Sequence, residues 1–194
     1  MRPYLVCCYV DGLDLNDDNM KKFLSLQTKL HKGVCNNRTV ATIATHDKDK
    51  ITGPLLFTAK EPKQLSIIPL SHTTPTSADK LVNHLKSEAE AMRKEKKRSQ
   101  VTGLHQYLHI LDRWPVYPCL MDGDTVISFP PVTNSANTRI SDQTKTLLVE
   151  VSSSTKLSDA KMVMDTLLVD MLDIWPTLTI IQARVVAPGG ELKV

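Results

Sequence analysis

The sequence predicts an α+β fold with mixed sheets flanked by helices. Three observations carry that reading. Short apolar or β-branched stretches outnumber the helical patterns. Their order, β-α-β-β-α-α-β-β-β-α-β, is too irregular for a doubly wound parallel sheet. The composition, 41% hydrophobic and 23% charged, is that of a globular protein with enough apolar material for a full core. At 194 residues the chain is within the range of one large domain or two small ones. It is read as a single domain over 1–194, with a basic helical insert at about 86–112.

Tyr4 to Val10 reads as a buried strand closed by the turn signal Asp11-Gly12. A helix begins at Asn16 or Asp17, with Phe23, Leu24, Leu26 and Leu30 at helical spacing. It ends at Gly33 after basic Lys29, His31 and Lys32. "TVATIAT" at 39–45 is β-branched and reads as a second strand, followed by the polar turn "HDKDKITGP". "LLFTAK" at 55–60 is a third strand. Pro62, Pro69 and Pro75 keep 61–76 extended. Ser77 caps a helix with Leu81, Leu85 and Met92 on one face, ending in the basic run "RKEKKRSQ". "GLHQYLHILDR" is a short amphipathic helix, with Leu104, Leu108 and Leu111 inward.

Tyr117–Met121 and "TVISF" flank Asp122-Gly123-Asp124 and form a hairpin signal, since Asp-Gly suits positive φ. After Phe129 the pair Pro130-Pro131 predicts a stiff extended connector leading to Asn134, because proline fixes φ and donates nothing. "TLLVEVS" at 146–152 alternates as a strand, and Ser158 opens a helix carrying Met162, Leu167, Leu168, Met171 and Leu172. "DIWPT" at 173–177 is an abrupt junction into a last strand over 178–187.

Charge and motifs exclude several classes. A net charge of +3 is too balanced to imply nucleic-acid binding by itself. The basic run at Arg93, Lys94, Lys96, Lys97 and Arg98 is a candidate RNA contact, interrupted by Glu95. Aromatics make up 5% of the chain, too few for a platform that stacks bases. His105 and His109 stand four apart, but Gln106 occupies the place where H-E-x-x-H needs glutamate, so no metal is expected. No Walker loop, dinucleotide fingerprint or nucleophile elbow is present. The four cysteines lack C-x-x-C spacing and read as reduced, buried thiols of a cytoplasmic protein. No apolar run approaches the ~18–20 residues of a membrane span, and no membrane partner or cofactor is expected.

"YPCLMDGDTVISFPPVTNSANTRI" and "TKTLLVEVSSST" resemble the B3/B4 domain of phenylalanyl-tRNA synthetase β subunits, in their eukaryotic and archaeal form. "LQTKLHKGVCNNRTVATIATHDKDKITGPLLFTAKEP" is similar to the preceding part of that domain, so the resemblance covers nearly the whole chain. The insert "EAMRKEKKRSQVTGLHQYLHILD" is foreign to the synthetase. It resembles the B3/B4 region of vertebrate leucine-rich-repeat proteins, whose repeats would mediate protein contacts in a longer parent chain.

The resemblance implies a layered β/β/α fold and, in synthetases, tRNA editing: hydrolysis of tyrosine wrongly esterified to tRNA(Phe). There, no side chain acts as covalent nucleophile; the site orients a water and recognises the phenol, where discrimination by a hydrogen-bonded hydroxyl is strong. Carried over, Ser128 and Asn134 fall on the substrate-pocket strand and loop, and Glu150 on the acidic position of the next strand. His46 and Asp47 match the "THD" turn, and Lys60 the "TAK" lysine. Synthetase subunits continue the asparagine with Gly-Asp, where this chain has Ser135-Ala136. The change restricts the backbone and removes a carboxylate able to orient water or ribose. The aminoacylation core is absent, so no ligase activity is expected of this chain. The expected function is an RNA- or tRNA-binding module derived from an editing site, with translation machinery as a partner. The alternative is an editing hydrolase acting in trans.

Overall fold

The computed structural model describes residues 1–70, 72–96 and 103–192, with the side chains of 17, 95, 96 and 103–106 left out of account. The chain runs β1 (Tyr4–Asp11), α1 (Asp17–Lys32), β2 (Ala41–Asp47), β3 (Leu55–Lys60), β4 (Ser66–Ile67), β5 (Thr76–Ser77) and α2 (Ala78–Lys96). It continues with β6 (Tyr117–Asp122), β7 (Thr125–Phe129), β8 (Thr133–Asn134), β9 (Thr146–Ser153), α3 (Leu157–Ile174) and β10 (Thr179–Gln182). The α+β class therefore holds. Where sheets of mixed direction were expected, every described pairing is antiparallel.

Two compact units divide the chain: Pro54–Ala136 with Met1, and Arg2–Gly53 with Asn137–Val194. In the second unit the sheet order is β10-β1-β9-β2. Its core forms because alternate residues face one way: Val6, Cys8 and Val10 of β1, Leu147, Val149 and Val151 of β9, and Ala41 and Ile43 of β2. Phe23, Leu26 and Leu30 of α1 and Val163, Leu167 and Met171 of α3 close over them. Met162 instead stands 49% exposed, since the helix turns its Ala160–Met164–Leu167–Met171 stripe inward. Asn16 caps α1 by accepting from the Asn19 N–H at 3.3 Å, and Gly33 ends the helix.

In the first unit the sheet order is β3-β6-β7-β8, beside the small β4-β5 ribbon. Tyr117, Cys119, Met121, Val126 and Phe129 pack with Leu81, Val82 and Leu85 of α2 and with Leu108 and Leu111 of the 3-10 helix Gly103–Leu111. That helix was read as amphipathic, and its Leu108 and Leu111 are indeed buried.

Two readings of the sequence are corrected. His46 and Asp47 do not open a polar turn: β2 continues through Asp47, because β9 still offers it partners, His46↔Leu148 and Asp47↔Leu147. Pro130-Pro131 is not an extended connector either. It is the tip of a tight hairpin, with a cis Pro130–Pro131 bond as in type VI turns, closed by the Val132 N–H donating to the Phe129 carbonyl at 2.8 Å. Pairing then resumes, Phe129↔Thr133 and Ser128↔Asn134. Prolines lack a donor, but at a hairpin tip none is required. The final strand ends at Gln182, short of the 187 expected.

Phe23 is fully buried and meets Trp175 edge-on at 6.4 Å between ring centroids. Phe23→Ala is expected to cost about 3–5 kcal/mol, read as a lower urea midpoint with unchanged slope. Met162→Ser, on the exposed face, should stay within about 0.5 kcal/mol. A second test concerns pH. The buried His31 imidazole accepts the Ile43 N–H through Nε2 at 2.9 Å, joining α1 to β2. Burial first, then Arg38 and Arg2, pull its pKa from 6.5 down to about 3. Between those values the unfolded chain binds the extra proton, so stability falls as pH drops through that window, at up to about 1.4 kcal/mol per unit. His31→Gln should flatten that part of a stability–pH curve; an unchanged slope would refute the assignment.

Candidate functional site

β9 is buried along seven of its eight residues, so the polar members of its alternation have nowhere exposed to go. Leu147, Val149 and Val151 face the helices. Leu148, Glu150 and Ser152 therefore face the other side of the sheet. The register sets Glu150 between Cys7 of β1 and Ala44 of β2, and Ser152 between Leu5 and Thr42. His46 lies two residues along β2 from Ala44 on the same face. Its Nε2 comes to 3.5 Å from Glu150 Oε2, with side chains 0% and 1% exposed. Its Nδ1 lies 2.8 Å from Thr138 Oγ1.

Among the described residues, neither Glu150 oxygen, nor Thr42 Oγ1, nor Ser152 Oγ has a hydrogen-bond partner. Native interiors hold few such atoms, and each marks either stored cost or a place shaped for a polar ligand. The Cys7 thiol opposite Glu150 is pushed well up, by burial first and then by Glu150 and Cys8. It stays protonated at neutral pH and is no nucleophile. Arg2, 1% exposed, donates to the Ser152 carbonyl at 3.1 Å and to the Arg38 carbonyl. Burial lowers its pKa to about 10, Arg38 adds to that, and Cys35 and Glu150 oppose it. It remains a cation at neutral pH, set behind the β9 backbone.

Asp47 stands apart from this group. It lies on the opposite face of β2 from His46 and caps the 3-10 turn Lys48–Lys50. Its Oδ1 accepts the Asp49 N–H at 3.2 Å, and its Oδ2 accepts from Thr144 at 2.8 Å and pairs with Lys50 at 3.2 Å. Burial acts to raise its pKa, but the Thr144 hydroxyl, Lys50 and the Asp49 N–H outweigh it and hold the carboxyl below its ordinary value. That is a cap, fully employed by the fold.

In the unit Pro54–Ala136, Ser128 and Asn134 are direct cross-strand partners. Ser128 is 1% exposed, and its Oγ lacks a hydrogen-bond partner among the described residues. A bulge sets this up: Leu120 pairs with Ser128 while Met121 pairs with Val126, leaving Ile127 as the extra residue. The segment after Asn134 is tied by its backbone, Ser135 N–H to the Ile127 carbonyl and Ala136 N–H to the Ile68 carbonyl, each at 2.8 Å. Lys60 of β3 pairs with Tyr117 of β6, and the period of two places it on the face opposite the Phe57–Leu120–Ser128 row. Arg93 and Lys94 are exposed on α2. Lys97 and Arg98 lie outside the described residues, as do the side chains of Lys96 and His105.

The structure thus pairs His46 with Glu150 in one unit and Ser128 with Asn134 in the other. It sets Asp47 and Lys60 on other faces. Reading the sequence missed Thr42, Thr138 and Ser152. Ser152 was available from alternation, two places beyond Glu150. Thr42 and Thr138 needed the strand register. Among the described residues no three His, Cys, Asp or Glu side chains are grouped to hold a metal, and no helix is long and apolar enough to cross a membrane.

No family model matches the chain. Curated relatives do. It is 34% identical over 168 residues to the cytoplasmic phenylalanine–tRNA ligase β subunit of Arabidopsis thaliana, covering 86% of this chain and 26% of the relative. It is 31% identical over 194 residues to the human phenylalanine–tRNA ligase β subunit, covering 98% and 30%. An N-terminal fragment of the phenylalanyl-tRNA synthetase β subunit from Pyrococcus horikoshii superimposes with a TM-score of 0.74 at 28% identity, covering 97% of this chain and 49% of that one. The chain spans between a quarter and a third of the length of these curated relatives. Over nearly its whole length, then, this α+β chain is a homologue of one segment of the phenylalanine–tRNA ligase β subunits.

Proposed function

We propose that the chain is a translation-associated module, derived from an amino-acid editing site, that binds RNA, with tRNA as the first candidate. It works in the cytoplasm, and leucine-rich repeats of a parent chain supply its protein contacts. The observation that carries binding over catalysis is the stretch after Asn134. Ser135 and Ala136 stand where the resemblance implies Gly-Asp, and both N–H groups are spent on backbone carbonyls. No carboxylate stands there to orient a water. The relatives' names, ligases of phenylalanine and tRNA, support an RNA partner.

A second reading, an editing hydrolase that deacylates Tyr-tRNA(Phe), draws on an orphaned carboxylate. Both Glu150 oxygens are buried without a hydrogen-bond partner among the described residues, the state expected of a group that awaits a substrate. Ester hydrolysis would need only a positioned water, with Glu150 accepting its proton.

Two outcomes separate the readings. For the binding module, purified protein deacylates Tyr-tRNA(Phe) no faster than the spontaneous rate. Deacylation that is lost in Glu150→Gln would establish the hydrolase instead. Changing Arg93, Lys94, Lys96, Lys97 and Arg98 to serine should weaken RNA binding and flatten its salt dependence, by about 0.7 in log–log slope per lost phosphate contact on single strands. Unaltered affinity and slope in a filter-binding titration would remove these residues from the interface.

A further inference from the structure

The unit Pro54–Ala136 carries an open cavity of about 560 Å³, a size typical of small-ligand sites. It lies apart from the Ser128–Asn134 pair and is lined by Lys63, by Asp79, Val82, Asn83 and Lys86 of α2, and by Tyr117 of β6. Two polar groups in it keep spare capacity. The Asp79 carboxyl takes hydrogen bonds from the Ser77 side chain and from the Asp79 and Lys80 N–H groups, while its Oδ1 is left without a hydrogen-bond partner among the described residues. Tyr117 is 9% exposed, held by stacking on Phe129 at 5.2 Å, and no hydrogen bond to its hydroxyl is found among the described residues. Its phenol lies in the field of Lys86, Asp112 and Asp79; burial, the largest influence, raises its pKa. The cavity therefore offers an acceptor, a hydroxyl and an apolar wall from Val82, with the ammonium groups of Lys63 and Lys86 at its rim. Lys86 is bridged to Asp112 at 2.7 Å, which fixes where its charge sits.

The same helix links this cavity to the basic run. Asp79, Val82, Asn83 and Lys86 line the cavity at helical spacing, and Arg93, seven residues beyond Lys86, continues that side of α2. Seven residues of helix are about 10 Å. That is a span a stacked single strand covers in about three nucleotides, at ~3.4 Å per nucleotide of one strand. We propose that the cavity takes one nucleotide of single-stranded RNA, with Asp79 accepting a hydrogen bond from the base edge or ribose 2′-hydroxyl and Lys63 and Lys86 holding the phosphate. The strand then runs along α2 toward Arg93. Carboxylates read bases and 2′-hydroxyls that donate, and RNA recognition works largely on such splayed-out nucleotides. This rests on the RNA-binding reading above and gives that reading a place.

The test uses the full chain, a short single-stranded RNA, 5′-GMP as the minimal probe and inorganic phosphate as control. Tyr117→Phe keeps the stacked ring and Asp79→Asn keeps the side-chain shape, so both variants should fold, checked by their thermal midpoints. Each, like Lys86→Met, should weaken RNA binding on the order of tenfold, and 5′-GMP should compete with RNA on the wild-type protein only. If these variants bind RNA like wild type while the serine-substituted basic run does not, the cavity is refuted and the RNA reading stands. If inorganic phosphate competes as well as 5′-GMP, the site reads an anion alone and the nucleotide is refuted. If the wild-type chain binds no RNA, both fall together.

Discussion

Everything in the larger unit depends on the register of β9 between β1 and β2. Eight residues of β9 pair with β1 and seven residues of β2 pair with β9, so a slip of one place would reverse every side chain. The apolar half of β9 makes slippage costly, because Leu147, Val149 and Val151 would leave the core. That constraint drives a carboxylate inside. Once Val149 and Val151 are committed to the helices, Glu150 has only the opposite face, beside His46. An isolated buried carboxylate costs several kcal/mol, and the fold keeps this one by placing an imidazole at its side and the Arg2 guanidinium within electrostatic reach.

Most elements were legible from the sequence because local pattern and tertiary packing agree. β1, α1, β3, the β6–β7 hairpin, β9 and α3 each carry their own periodicity or cap. The failures have physical causes. His46 and Asp47 look like the start of a turn by composition, yet a facing strand supplies partners and burial, and tertiary pairing overrode local polarity. The double proline forbids strand pairing at its own positions but says nothing about the residues beyond it, so the return of Thr133 and Asn134 to the sheet was not visible locally.

The site was legible in halves. Glu150 and His46 were chosen separately, and register shows them to be neighbours. Ser128 and Asn134 were placed on a strand and its exit, and prove to be cross-strand partners. Asp47 was chosen because its chemistry suits a pocket, and its hydrogen bonds are those of a cap. Thr138 could not be found from the sequence, since nothing in "NTRI" marks a hydroxyl that will meet an imidazole ninety-two residues away in the chain.

The segment after Asn134 is tied by two main-chain N–H groups on two carbonyls, bonds that do not depend on the side chain at residue 136. Its shape is thus insulated from its chemistry. A lineage carrying this scaffold can add or discard an acidic group there by point substitution, with the hairpin, the bulge and the serine–asparagine pairing undisturbed. The side chain at residue 136 can then change between relatives while the backbone that carries it keeps its course.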